Sequence, residues 1–228
     1  MRGIIRSALI GAFAAFAMMA PPVASAQDLI PAKRLVLSEN TDLNGGDISS
    51  IFDTTLDACE RACLSNARCE SLTFNSKNGS CFLKSGVGAP GVYDGAYSGY
   101  VIPANTGANL RAKARRAELV FLPDWEFSGV TQQAEGLVNA HITNAYTAEE
   151  HLAAAQSAEA SGNFATASRF VGAALNLTDS AADWAEYARL LYLAGTSPND
   201  QQQSYLDQSY LASVNAYLRA DNKALQHN

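Results

Sequence analysis

The stretch DACERACLSNARCESLTFNSKNGSCFLK, residues 57–84, holds every cysteine of the chain: Cys59, Cys63, Cys69 and Cys81, spaced C-x3-C-x5-C-x11-C. In an exported chain, an even number of cysteines crowded into one short stretch reads as a disulfide framework. Export is read from the N-terminus. Arg2 and Arg6 precede an apolar run from Ala8 to Ala20, and Ala24-Ser25-Ala26 forms a small-residue cleavage site. Residues 1–26 are therefore expected to be a signal peptide, with the mature chain starting at Gln27. The apolar run is too short for a comfortable membrane span, and no later segment approaches the ~20 apolar residues that a spanning helix needs. The expectation is a periplasmic or secreted protein with no stable membrane insertion after cleavage.

Around the cysteines, local signals alternate between helix and strand. Leu35-Val36-Leu37 reads as a first strand, and Asp42 to Asp47, with Gly45 and Gly46, as loop. Thr54 or Thr55 caps a helix, with Thr54-x-x-Asp57 resembling a capping box. Leu56, Cys59, Ala62 and Cys63 recur at helical spacing, so both cysteines share one face. Ser71-Leu72-Thr73-Phe74 alternates as a half-buried strand, Asn78-Gly79 signals a hairpin turn, and Ser80 to Leu83 returns. Tyr97 to Ile102 completes the set. Of the three pairings open to four cysteines, Cys59–Cys63 would join consecutive turns of one helix and constrain little else. Tying both helix cysteines elsewhere gives Cys63–Cys69, just past the helix end, and Cys59–Cys81 on the return strand. The longer bridge stabilises by ~3 kcal/mol in the chain-entropy model, which matters for a domain of fewer than about 80 residues.

This arrangement resembles the apple/PAN domain, in which a helix carrying C-x3-C is stapled across a small antiparallel sheet. The wording Arg34-Leu35-Val36-Leu37, Phe52-Asp53-Thr54-Thr55-Leu56, Cys59-Glu60-Arg61-Ala62-Cys63-Leu64 and Cys81-Phe82-Leu83-Lys84-Ser85 is similar to the N-terminal apple domain of bacterial α2-macroglobulin-like proteins. That resemblance implies a place in a periplasmic protease-trapping assembly. The family's C-x-E-Q thioester motif is missing, since Leu64-Ser65-Asn66 follow Cys63, and the chain is too short for the β-sandwich domains of a trap. The implied object is an N-terminal piece, a truncated paralogue or a split gene product.

Beyond about residue 110 the chain is Ala-rich and free of cysteine. A short basic knot, Arg111, Lys113, Arg115 and Arg116, reads as a solvated helix end between domains. Phe127, Val130, Ala134, Leu137 and Val138 recur at helical spacing, and Thr147-x-x-Glu150 is a capping box opening a helix through Ala160. Gly162-Asn163 breaks it, and Phe164, Ala167, Val171 and Ala174 mark the next helix. Ser180-x-x-Asp183 caps another, with Gly195 as its stop, and Leu206, Tyr210, Val214 and Tyr217 define the last. Trp184, Tyr187, Tyr192 and Tyr205 are expected in the core. Ala160-Ser161-Gly162-Asn163-Phe164-x-x-Ala167 is similar to a tetratricopeptide repeat, with a second pair about one ~34-residue period later. The fold class expected is α+β, with a disulfide-stapled apple/PAN domain over 27–103, a linker over 104–123 and a tetratricopeptide-like all-α region over 124–228.

The composition excludes several functions. The formal net charge is −6 for the whole chain, and residues 1–26 contribute two positive charges to it. The mature chain is more acidic still, which argues against nucleic acid as a partner. His141, His151 and His227 lack metal-ligand spacing, and no nucleophile elbow, P-loop or dinucleotide motif occurs, so neither an enzyme nor a cofactor is expected. Asn78-Gly79-Ser80 fits a glycosylation sequon but is accounted for by the turn. What remains is a non-catalytic interaction module. Its expected partner is a protein, either the rest of a macroglobulin-like assembly or a protease. The alternative is a stand-alone glycan-binding protein of the cell envelope using Tyr93, Tyr97 and Tyr100. Phe74, Asn75, Lys84, Tyr93 and Tyr97 are the candidate binding residues, chosen by their position on the sheet.

Overall fold

The structure is a computed structural model, and it describes residues 29–221 apart from 106, 145 and 199, with the side chains of 124–128 left aside. The expected signal peptide and His227 lie outside the described residues.

Five strands form one antiparallel sheet: β1 (Lys33–Leu43), β2 (Asp47–Ile51), β3 (Ser71–Asn75), β4 (Ser80–Lys84) and β5 (Pro90–Pro103), in the spatial order β1-β5-β3-β4-β2. Helix α1 (Leu56–Ser65) lies across one face. Its cap is Thr55, whose hydroxyl accepts from the Ala58 amide, rather than Thr54. Cys59 and Cys63 are fully buried on its inner side, and disulfides join Cys59 to Cys81 and Cys63 to Cys69. These bridges sit in a core with Leu35, Leu72, Phe74 and Leu83. Phe74 faces Cys81 on one neighbour and Tyr97 on the other, so strand alternation puts all three on the α1 side.

Three strands run differently from the sequence expectation, β5 among them because it begins at Pro90 rather than Tyr97. β1 continues through Asp42 and Leu43, because the start of β5 pairs with it (Thr41 with Val92, Leu43 with Pro90). The loop shrinks to a turn in which Gly45 and Gly46 take φ of +78° and +75°, values that glycine adopts without strain. The polar segment of β2 shows no alternation and is strand only because it pairs with β4.

Six further helices follow among the described residues: α2 (Ala108–Arg116), α3 (Asp124–Asn139), α4 (Ala148–Ala160), α5 (Phe164–Thr178), α6 (Ala181–Thr196) and α7 (Gln202–Arg219). The architecture is thus α+β. The Thr147 capping box is complete in both directions, and Asn163 and Ser180 cap α5 and α6. Gly195 is not a stop: α6 runs past it to Thr196, and a Cβ at 195 would lie 2.8 Å from Leu206, so its missing side chain lets α7 approach. Trp184 and Tyr187 are core residues, whereas Tyr192 is exposed and Tyr205 half-buried.

The segment expected as a linker contains α2, whose Ala108 and Ala112 pack with Ile30, Leu122, Val130, Val214 and Leu218. Arg115 is buried there, against the expectation of a solvated basic knot. Its Nε donates to the Ala220 carbonyl at 3.4 Å, and its guanidinium lies 5.4 Å from the Tyr217 ring centroid.

Four consecutive residues of β1, Arg34 to Leu37, are buried, as in a strand covered on both faces. Leu35 enters the disulfide core. Arg34 meets the helices, where its guanidinium reaches Glu135 of α3 at 3.1 Å, Asp179 at 2.8 Å and the Leu175 carbonyl at 3.1 Å. Arg219 of α7 binds the same two carboxylates. Asp179, at the C-cap of α5 with φ +49°, also accepts from Trp184 Nε1 at 3.0 Å. A second seam lies beside this one: the Thr143 amide and hydroxyl both donate to the Leu37 carbonyl at 2.9 Å. Truncating one member of a buried charge network leaves uncompensated charge, at a cost of about 3–5 kcal/mol. Arg34→Met should therefore lower stability in urea by that amount. Lys77→Met, which removes an exposed pair with Asp94, should cost under ~1 kcal/mol. Equal losses would show that the ring contributes nothing beyond a surface contact.

Candidate functional site

The sheet face opposite α1 is where a site forms. On β3 it presents Thr73 and Asn75, on β4 Phe82 and Lys84, and on β5 Ser98 and Ala96, by the alternation that sends Phe74 and Cys81 inward. The β1–β2 turn folds over its edge. A Cβ at Gly88 would lie 2.1 Å from the Asn44 carbonyl oxygen, so the strand-to-strand connection before β5 can pass this close only as glycine. The result is a concave pocket of about 340 Å³ lined by Asp42, Asn44, Asp47, Thr73, Asn75, Phe82, Lys84 and Tyr93 among others.

Internal contacts fix its floor. The Thr73 hydroxyl lies 2.7 Å from Ser98 Oγ and accepts from the Leu43 amide at 3.2 Å, while Ser98 donates to the Thr41 carbonyl at 2.8 Å. Lys84 is buried, with its ammonium held by Asp47 at 2.5 Å and by the Gly45 carbonyl at 3.3 Å. Its charge is spent on the turn. The rim is freer: Asp47 is half exposed, Asn75 is half-buried and accepts from the Lys77 amide at 2.9 Å, and Tyr93 is exposed with the Lys77 ammonium 5.8 Å from its ring centroid. Carboxylates, amides and a tyrosine ring around a neutralised lysine can hydrogen-bond and stack. Nothing here resembles a nucleophile with its base.

The five candidate residues divide accordingly. Asn75, Lys84 and Tyr93 line one pocket. Phe74 and Tyr97 lie on the other face, Phe74 buried in the disulfide core and Tyr97 packed against it. Tyr93 and Tyr97 are four apart, a separation that a regular strand keeps on one face. Between Glu39↔Tyr97 and Thr41↔Val92 the register slips, and Gly95 takes φ +80°, which turns the two rings to opposite sides. Tyr100 belongs to a different crevice with Thr143 and Tyr146. The three tyrosines of the glycan reading therefore form no common platform. Asp42, Asn44 and Asp47 were missed as lining residues; the Asp-rich, Gly-rich turn was the signal that pointed to them.

Residues 34–105 match the family model described as the PAN domain. No curated protein and no solved structure matches the chain. The chain thus carries a PAN domain at residues 34–105, a non-catalytic module that binds protein or carbohydrate. Its two disulfides fit an extracellular or otherwise oxidising compartment. Among the described residues no helix is long and apolar enough to cross a membrane.

One titratable group of the domain is displaced. Burial, reinforced by the Asp57 carboxylate and opposed by Arg61, raises the pKa of Glu60 on α1 from 4.5 to about 7. The folded state holds this proton more tightly than the unfolded chain does. The associated stability is complete below about 4.5 and is lost as the pH rises through about 7. Glu60→Gln should melt with the parent at pH 4 and ~2–4 °C above it at pH 8, the size expected for about 1 kcal/mol in a chain of this length. A gap that did not widen with pH would contradict the assignment.

Proposed function

We propose that the chain is a non-catalytic, exported binding protein that recognises a protein partner through the open face of its PAN sheet. The observation carrying this reading is the company the pocket keeps. Phe52 stacks edge-on against the lining residue Phe82, with centroids 6.4 Å apart, and is 63% exposed. Val87 and Val92 are exposed at 60% and 96% on the chain leading into and along β5. Apolar side chains beside a polar depression suit a protein interface, where contact cores are apolar and rims polar. The partner class we favour is a component of a periplasmic α2-macroglobulin-like assembly, or a protease that such an assembly meets. Support for that context is the wording of the helix and strands around Cys59–Leu64 and Cys81–Ser85. The helices α4–α7, antiparallel hairpins with small residues at their contacts, are read as two tetratricopeptide-like units supporting the PAN domain.

A second reading has its own observation: Tyr93 presents an exposed ring next to Asp42, Asp47 and Asn75, groups that suit sugar hydroxyls. Capture from periplasmic extract on immobilised protein, paired with a glycan array, separates the two. The protein reading expects a retained partner whose binding falls at least ~10-fold in both Tyr93→Ala and Val92→Asp, central apolar anchors being worth ~1.4 kcal/mol or more. Selective sugar binding lost in Tyr93→Ala but kept in Val92→Asp would overturn it in favour of the lectin.

A further inference from the structure

A second pocket, of about 750 Å³, lies in the helical part, between the 140–146 segment and helices α4 and α5. Its size falls within the ~300–1,000 Å³ of small-molecule sites. Three of its lining side chains form a continuous aromatic wall: Tyr146 and His151 meet at 5.7 Å between centroids, and His151 and Phe170 at 6.5 Å. Small residues, Ala140, Ala154 and Ala173, leave the space in front of it.

Arg169 lines the same pocket. No ion pair or hydrogen bond ties its guanidinium to any described residue, whereas Arg189, which lines the groove between α6 and α7, is held by Glu159 and Glu186. His141 does not compete with it as a cation. The imidazole is pressed onto α5 at Gly172, where a Cβ would lie 2.3 Å from the ring, and its Nε2 is 3.0 Å from the Tyr187 hydroxyl. Burial first, and the charge of Arg169 second, push its pKa down to about 4, so the ring is neutral. His151 donates Nε2–H to the Thr143 carbonyl at 3.1 Å. The one acidic lining group, Glu150, is committed to its cap, accepting from the Thr147 amide at 2.7 Å.

We propose that this pocket binds a small aromatic carboxylate, its carboxylate paired by Arg169 and its ring held against Tyr146, His151 and Phe170. An unpaired guanidinium at the mouth of an apolar pocket supplies the fork geometry that carboxylates match, and the aromatic wall favours a flat body over an alkyl chain.

Three indoles test this by titration calorimetry on the whole protein: indole-3-acetate, tryptamine and 3-methylindole, which share one ring and carry at position 3 an anionic, a cationic and an uncharged substituent. Indole-3-acetate should bind one to one and tightest. Arg169→Gln should weaken it at least ~10-fold, the loss of one charge-assisted pair, and leave 3-methylindole unchanged. Because Arg169 is exposed, this variant leaves the fold intact. Ala154→Leu, which fills the pocket, should weaken all three, whereas Ala185→Leu, in the separate groove between α6 and α7, should weaken none. Tryptamine binding as tightly as the acid, indifference to Arg169→Gln, loss of binding in Ala185→Leu, or no heat from any probe at millimolar concentration would each overturn the proposal.

Discussion

Arg34, Glu135, Asp179 and Arg219 close a ring of alternating charge in which each carboxylate is shared by two guanidiniums. All four side chains are buried, so desolvation offsets much of the attraction, and apolar plugs of the same volume often hold as well. What an apolar plug lacks is direction. The ring forms only when β1, α3, the α5–α6 corner and α7 meet at one orientation, and the indole of Trp184 adds a hydrogen bond to Asp179 and a face for Arg219, 4.8 Å from its centroid. The left-handed conformation of Asp179 belongs to the same arrangement: it ends α5 and turns the carboxylate back into the ring.

The sheet's two faces carry different burdens. The α1 side is closed covalently, since two bridges tie one ten-residue helix to its own C-terminal turn and to β4. With that face fixed, the other is free to carry polar groups that a small core would not tolerate. Thr73 and Ser98 pair with each other and with β1 backbone, and Lys84 is neutralised by the turn that Gly45 and Gly46 permit. Buried polar groups without partners are costly, so the floor of the pocket is satisfied internally. The rim groups Asp42, Asp47, Asn75 and Tyr93 keep capacity to spare.

How much of this could be read from sequence depended on range. The caps at Thr147 and Ser180 rest on contacts within one turn, which local spacing encodes, whereas Asn163 read only as a break and proved to cap α5. The cysteine pairing, one bridge of which spans 22 positions, followed from asking which bridges constrain more than the helix itself. β2 carried no signal because its polar residues become strand only through β4. Lys84 looked like a surface residue because its counter-ion, Asp47, sits 37 positions earlier. The faces of Tyr93 and Tyr97 were misread because alternation assumes a regular ladder, and the irregularity at Gly95 resets the count. Arg34 was legible only as the polar start of an apolar run, its partners lying 101 and 145 positions away.

The location of the pocket follows from where the helices dock. Val36 and Tyr100 face each other in the ladder, and Thr73 and Ser98 likewise, so Val36 shares the pocket's side of the sheet. Val36 is buried and its neighbour Arg34 reaches into the helices, which means α3 and α5 cover the β1 end of that face. The Thr143 segment covers the middle of the outer edge of β1, bonding the Leu37 carbonyl and the Glu39 amide, and so interrupts an edge that would invite strand addition. The opposite edge, β2, is five residues long and polar, another way of discouraging such pairing. With one face under α1, one end under the helices and both edges unattractive, the open part of the sheet is its β3–β4 half and the turn above it.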